Sequence, residues 1–235
     1  MRKEIKIFGK TIILNMRNEG DDAIAHELFL DHQYRYCDEV IRKAKDAVID
    51  IGGHLGFFSL YASLLNPKVP IYSFEPHIGN FELLKKNLKD NRVKNVTAKN
   101  LAVSDQAGDA ELMLSKEDLN HSIVKAIEPT QEVQKVQAIT LEKIFDRHQI
   151  GHCDLLKIDC EGAEFAILED TPKSVYDKVS NIFLEYHDWV PGKDHRQLKT
   201  LLESKGFKVE DFPNSKMKEL GFLWCKRQEG VCRDF

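Results

Sequence analysis

No run of apolar residues approaches the roughly 20 needed to cross a bilayer. The basic start MRKEIKIFGK is not followed by the apolar core of a signal peptide. A soluble, cytoplasmic protein with no membrane partner is therefore expected. Proline and glycine are sparse, at 7 and 13 of 235 residues, which excludes collagen and long disordered linkers. The five cysteines (Cys37, Cys153, Cys160, Cys225, Cys232) include no CxxC pair, so neither a disulfide framework nor a zinc knuckle is indicated. Cys160 and Cys225 read as buried thiols inside strands. Basic excess is also missing: Lys and Arg total 34 against 38 Asp and Glu, a net charge of −4. That balance argues against a nucleic-acid partner. There is no internal repeat and no low-complexity segment.

What is present is a core and a rhythm. Hydrophobic residues make up 42% of the chain, and a chain of this length buries roughly 70–75% of its unfolded surface without metal or disulfide staples. From residue 47 onward, short β-rich runs alternate with helical ones. AVIDIG (47–52) is a buried-strand pattern, with the helical FFSLYASLL after it. VPIYSFE (69–75) is a second strand, and the helix after it sets Phe81, Leu84 and Leu88 on one face with Lys85, Lys86 and Lys89 on the other. VTAKNLAVS (96–104), DLLKIDCE (154–161) and NIFLEYH (181–187) are the third to fifth strands. RQLKTLLESKG is a helix ending at Gly206, and KVEDF and GFLWCKR close the chain as two strands. This alternation predicts an α/β fold, a mostly parallel sheet with helices on both faces. Residues 1–46 read as an extension packed on the core, a hairpin turning near Gly9 and then one or two helices. Residues 47–235 read as the α/β domain. Within it, residues 109–140 replace an expected crossover helix by a β-excursion, strand-like AELML and VQKVQAIT around the loop SKEDLNHSIVKAIEP. The N-terminal hairpin offers an edge for a homodimer.

In open α/β sheets ligands sit at the carboxyl ends of the strands. The first strand ends in Asp50-Ile51-Gly52-Gly53-His54-Leu55-Gly56 and runs straight into a helix. The glycines allow a tight turn and close approach of backbone to a ligand, and the helix start offers free N–H groups. Asp50 is placed to accept from a cationic ligand group such as an amino-acid ammonium. The second strand ends in Phe74-Glu75-Pro76, about twenty residues beyond the turn, where a carboxylate accepts both hydroxyls of a ribose. Together these motifs indicate an adenosine cofactor. NAD would want G-x-G-x-x-G, but here the bulky His54 stands two positions after Gly52. That suits a ligand without a pyrophosphate, such as S-adenosylmethionine (SAM).

The runs VIDIGGHLGFFSLYA, FEP with Asn80 and Asn87 after it, LAVSD, DLLKIDCEGAEFAIL and IFLEYH come in an order that resembles the FkbM family of SAM-dependent methyltransferases. The likeness covers roughly residues 27–210, including ELFLDHQYRYCDEV before the first strand. Family members commonly show D-x-G-A-N-x-G in the first motif, where this chain has Gly53 and His54 at the Ala and Asn positions. The resemblance implies a Rossmann-like class I methyltransferase sheet of seven strands, in the order 3-2-1-4-5-7-6 with the last strand antiparallel. It further implies that Asp50, Gly52, Gly53, His54 and Gly56 hold the amino-acid end of SAM and that Glu75 holds its ribose. Leu101, Ala102 and Val103 would border the adenine, and Asp159 would sit beside the methyl group, with S-adenosylhomocysteine (SAH) as the product.

Enzymes that methylate exocyclic base amines often carry an Asn/Asp-Pro-Pro-aromatic run after the fourth strand. This chain has Asp159-Cys160-Glu161-Gly162. An oxygen acceptor follows, a hydroxyl on a small molecule or sugar-type compound. The hydroxyl must lose a proton, and His187 or Asp159 is the candidate base. His121, Ser122, Glu161 and Glu185 are candidate substrate contacts. Glu161 is alternatively a helix cap at Gly162, Glu164 an ordinary first-turn acid, and His187 a surface histidine. Asp159, Glu161, Glu185 and His187 also make an oxygen-rich set able to take Mg²⁺, a divalent metal held second to metal-free transfer. Tyr34, Tyr36, Tyr186 and Trp189 divide between acceptor pocket and core, and Trp224 reads as core. The alternatives are an NAD(P)-dependent oxidoreductase, a non-catalytic cofactor-binding protein and an RNA methyltransferase.

Overall fold

A computed structural model describes residues 1–115 and 129–228. The chain opens with the hairpin β1 (Arg2–Ile7) and β2 (Lys10–Asn15), then α1 (Glu19–Phe29) and α2 (Asp38–Lys43). The alternating part follows: β3 (Val48–Ile51), α3 (Phe57–Leu65), β4 (Ile71–Phe74), α4 (Ile78–Asp90) and β5 (Val96–Lys99). The excursion is β6 (Ala102–Val103), β7 (Gly108–Ser115) and β8 (Pro129–Ile139). It leads into α5 (Leu141–Arg147), β9 (Leu155–Ile158), α6 (Glu164–Asp170), α7 (Lys173–Tyr176) and β10 (Asn181–His187). The chain closes with α8 (His195–Ser204), β11 (Phe207–Pro213) and β12 (Leu220–Arg227).

Seven strands form one sheet in the order β5-β4-β3-β9-β10-β12-β11. Counted along the domain this is 3-2-1-4-5-7-6, and β12 is antiparallel to both of its neighbours, as expected. Every residue of β3 and of β9 is buried. Central parallel strands are covered on both faces and so need apolar side chains on both. Alternate residues feed two cores. Val48, Leu155 and Phe183 face α1, α2 and α3, whereas Ile49, Leu156 and Ile182 face α5, α6, α7 and α8. The hairpin joins the first core through Ile12 and Leu14. It is also clipped to α4, where Asn87 accepts from the Asn15 N–H at 2.7 Å and donates to the Leu55 carbonyl at 2.8 Å.

Three local expectations need correction. The third strand is not continuous from 96 to 104: β5 ends at Lys99 and β6 belongs to a separate sheet with β7 and β8. Asn100 explains the break, because its side-chain amide donates to the carbonyls of Glu75 and Pro76, both at 2.8 Å, and the chain turns away. The fourth strand stops at Ile158, so Asp159 and Glu161 lie in the turn beyond it. Cys160 is in that turn and only partly buried, unlike Cys225 in β12, which is fully buried.

Candidate active site

The carboxyl ends of β3, β4, β9 and β10 border one cavity of about 310 Å³. Gly52, Gly53 and His54 form one wall with Glu75 and Ala102. Asp159, Glu161, Glu185 and His187 form the other. Gly52 has φ +76°, and a Cβ there would run into the backbone carbonyl of Asp159. Only glycine lets the turn pass this close to the end of β9. Gly56 also has a positive φ but packs on Leu84 instead of lining the cavity. Asp50 does not reach the cavity either. It is fully buried beneath the turn, where Ser59 and Ser73 donate to Oδ2 at 2.7 and 3.1 Å.

The partner of Asp50 is Lys157, a residue the motif reading passed over as part of a buried strand. Its ammonium lies 3.2 Å from Asp50 Oδ1 and 3.5 Å from Asp159 Oδ2, and it donates to the Gly52 carbonyl at 2.8 Å. Burial disfavours its charge, but the Asp50 and Asp159 carboxylates outweigh that and raise its pKa. A fixed cation therefore joins the ends of β3 and β9.

Glu75 is 5% exposed at the end of β4. It accepts the His54 N–H on Oε2 and the His77 N–H on Oε1, both at 2.8 Å. Burial pushes its pKa up to about 7, against the pull of those hydrogen bonds. His54 occupies a left-handed conformation, φ 46°. Behind it stands a group from the N-terminal extension with no motif to announce it. Arg17 Nη2 lies 3.0 Å from His54 Nε2 and donates to Asp21 Oδ1 at 2.8 Å, while Nη1 donates to Asn80 Oδ1 at 2.7 Å. A guanidinium only donates, so His54 Nε2 accepts and the ring proton sits on Nδ1. Burial and the Arg17 charge push the His54 pKa down to about 4, so the ring is neutral.

On the opposite wall His187 ends β10 and is 2% exposed. Its Nδ1 lies 2.7 Å from Glu164 Oε1, and its Nε2 lies 3.6 Å from Glu161 Oε2. Burial opposes the imidazolium, but Glu164 and Glu161 override it and raise the pKa well above the ordinary histidine value. His187 is thus neither a surface histidine nor a free base. Glu164, although in the first turn of α6, is fully buried and also accepts the Cys160 N–H at 3.1 Å. Glu161 does not cap α6, which begins at Glu164 after Ala163. It holds φ 55° instead, and burial together with Asp159 and Glu164 pushes its pKa up to about 8 against the pull of His187. Glu185 is raised well above the carboxylate range by burial and by Asp159. Tyr34 and Trp189 border the cavity. Tyr186 is core and stacks on His195, Tyr36 stacks on Phe212, and Trp224 is core. His121 and Ser122 lie outside the described residues.

These features fit a nucleoside with an amino-acid tail: a carboxylate at the end of β4, a close glycine turn beside it, and a neutral imidazole at the turn's edge. Residues 50–209 match the family described as the methyltransferase FkbM domain. "Methyltransferase 1" of Beauveria bassiana is 29% identical over 208 residues, 80% of this chain and 81% of its own. The "31-O-demethyl-FK506 methyltransferase FkbM" of Streptomyces tacrolimicus is 27% identical over 223 residues, 82% of this chain and 84% of its own. Among solved structures, methyltransferase FkbM from Methylobacillus flagellatus superposes with a TM-score of 0.54 at 14% identity, over 77% of this chain and 43% of its own, which bears on the fold alone. With two thirds of its length inside that domain, the chain belongs to the FkbM family of SAM-dependent methyltransferases.

Proposed function

We propose that the protein methylates a hydroxyl group on a small-molecule or sugar-type acceptor. The observation that carries this is that Asp159, Glu161, Glu185 and His187 line the same cavity as Glu75 and the glycine turn. Bound SAM supplies an electrophilic methyl group. Glu75 would accept from the ribose hydroxyls, and Ala102 would border the adenine. The Nδ1–H of His54 would donate to the amino-acid carboxylate. Asp50 would act through Lys157, fixing the turn rather than touching the ligand.

An acceptor hydroxyl must lose its proton, and the wall is rich in groups that take one. Of the two bases expected from the motifs, His187 is engaged by two glutamates and Asp159 by Lys157. Glu185 is the better proton acceptor: it lines the cavity, and burial beside Asp159 raises its affinity for a proton above that of an ordinary carboxylate. His187 and Glu161 then orient the acceptor. The Streptomyces relative, whose name places its methyl acceptor at an oxygen, supports the oxygen reading. The oxidoreductase alternative loses its ground with the family match.

The test is SAH release and product mass with a panel of hydroxyl and amine acceptors. Glu185→Gln is expected to lower kcat by about 100- to 10,000-fold with SAH affinity unchanged. A loss of about twofold or less, or transfer to amines alone, overturns the reading.

A further inference from the structure

We propose that Asp159, Glu161 and His187 form a binding site for a divalent first-row transition metal at the acceptor end of the cavity. One ligand atom from each lies within 4.8 Å of the others. Ligands held at about 2.0–2.2 Å from one ion lie at most about 4.4 Å apart, so an inward shift of a few tenths of an ångström brings the three onto one cation.

The second observation is the orientation of the histidine. His187 is almost fully buried, and Glu164, fully buried itself, takes its Nδ1 at 2.7 Å. Metal-binding imidazoles are held in this way, with one nitrogen on a carboxylate and the other turned to the ion. The other nitrogen, Nε2, faces Glu161 Oε2 at 3.6 Å, an ion-pair distance longer than an ordinary hydrogen bond. Glu161 reaches this place from a left-handed backbone, φ 55°, a conformation that costs a non-glycine residue about 1–2 kcal/mol. Strain of this kind persists where the surroundings demand a particular side-chain position.

Charge points the same way. Asp50, Asp159, Glu161, Glu164 and Glu185 crowd around Lys157 and His187, so the wall is short of cations. Lys157 approaches Asp159 through Oδ2, which leaves Oδ1 for a second cation. One imidazole nitrogen with two carboxylates suits Mn²⁺, Fe²⁺ or Zn²⁺; it is too nitrogenous for Ca²⁺ and lacks thiolates for softer ions.

The role of the ion rests on the methyl-transfer reading: an acceptor hydroxyl completing its shell becomes more acidic. The hydroxyl proton passes to Glu185, the oxygen lone pair forms the bond to the methyl carbon, and the broken C–S pair stays on sulfur.

The test is titration of the full chain with Mn²⁺, followed by electron paramagnetic resonance, with and without SAH. Quenching of Trp189, whose ring lies 4.5 Å from that of His187, gives a second readout. One ion per chain is expected. Glu161→Gln and His187→Gln should each weaken it by at least about tenfold, and Glu164→Gln by about 10- to 100-fold, with SAH affinity within about twofold of wild type as the check on folding. Absence of Mn²⁺ binding in a chain that binds SAH overturns the proposal, as does binding indifferent to both Glu161→Gln and His187→Gln. Failure of the wild type to bind SAH strikes the cofactor reading instead and leaves the metal result to be judged alone.

Discussion

Single side chains decide whether this cavity holds a cofactor, and Glu75 is the clearest case. As a carboxylate it would accept both ribose hydroxyls of the proposed cofactor; once protonated it would lose acceptor capacity. Burial lifts its pKa to about 7, so SAH affinity is expected to rise with pH through neutrality and then level. Glu75→Gln should bind about 10- to 100-fold more weakly, the size of a lost hydrogen bond to a charged group, and show no such rise; calorimetry between pH 5.5 and 8.5 checks both. His54 gives a spectroscopic prediction. Long-range ¹H–¹⁵N spectra should find the proton on Nδ1, and Arg17→Gln should disturb that assignment. A proton on Nε2 in the wild type would contradict the Arg17 contact. The glycine turn and Glu75 were legible because a strand, a turn and a helix start leave a local pattern. Lys157 and Arg17 were not, because their partners lie 107 and 37 residues away in sequence. Asp50 was misplaced for the same reason: its position at a strand end was readable, but its burial by Lys157 and two serines was not.

At the scale of elements, the fold is held at a few crossings. Asn87 ties β2, α4 and the glycine turn together with all its side-chain groups engaged. Asn87→Ala strands the Asn15 N–H and the Leu55 carbonyl and should lower stability by about 2–4 kcal/mol, read from urea unfolding. Lys157→Met leaves Asp50 buried without its cation and should cost about 3–5 kcal/mol. If that variant unfolds at the same urea concentration as wild type, the ion pair is not structural. The parallel strands were readable because burial on both faces writes continuous apolar runs. The break after Lys99 was not, since LAVS is as strand-like as VTAK and only the bonds of Asn100 across to β4 separate them.

For the whole molecule, titration has a definite sign. Without ligand or metal, the folded chain holds protons on Glu75, Glu161 and His187 more tightly than the unfolded chain does. Each contribution is lost as pH rises, for Glu75 and Glu161 from the ordinary carboxylate value of 4.5 up to about 7 and 8 and for His187 from 6.5 upward, so stability should fall from about pH 4.5 to 8. Between about pH 4 and 6.5 the buried neutral His54 pulls the other way, one group against two, so the fall is shallower there; the slope reverses only lower still, where the depressed Asp21 held by Arg17 titrates. Thermal unfolding across pH 4–9 should therefore be highest near the acid end of that range and fall most steeply above pH 6.5, and Glu161→Gln should flatten the fall. No helix among the described residues is long and apolar enough to cross a membrane.

The lysine that joins β3 to β9 also dates the site within the life of the chain. The glycine turn and Glu75 leave the ribosome some eighty residues ahead of Lys157 and Asp159. Until then β3 has no neighbour on one side and Asp50 has no cation. A nascent or truncated chain ending before β9 would thus leave the apolar edge of β3 unpaired and is expected to bind no nucleoside. Cofactor capture therefore waits on the docking of β9, and the chain still lacking that strand is the form that most needs a chaperone.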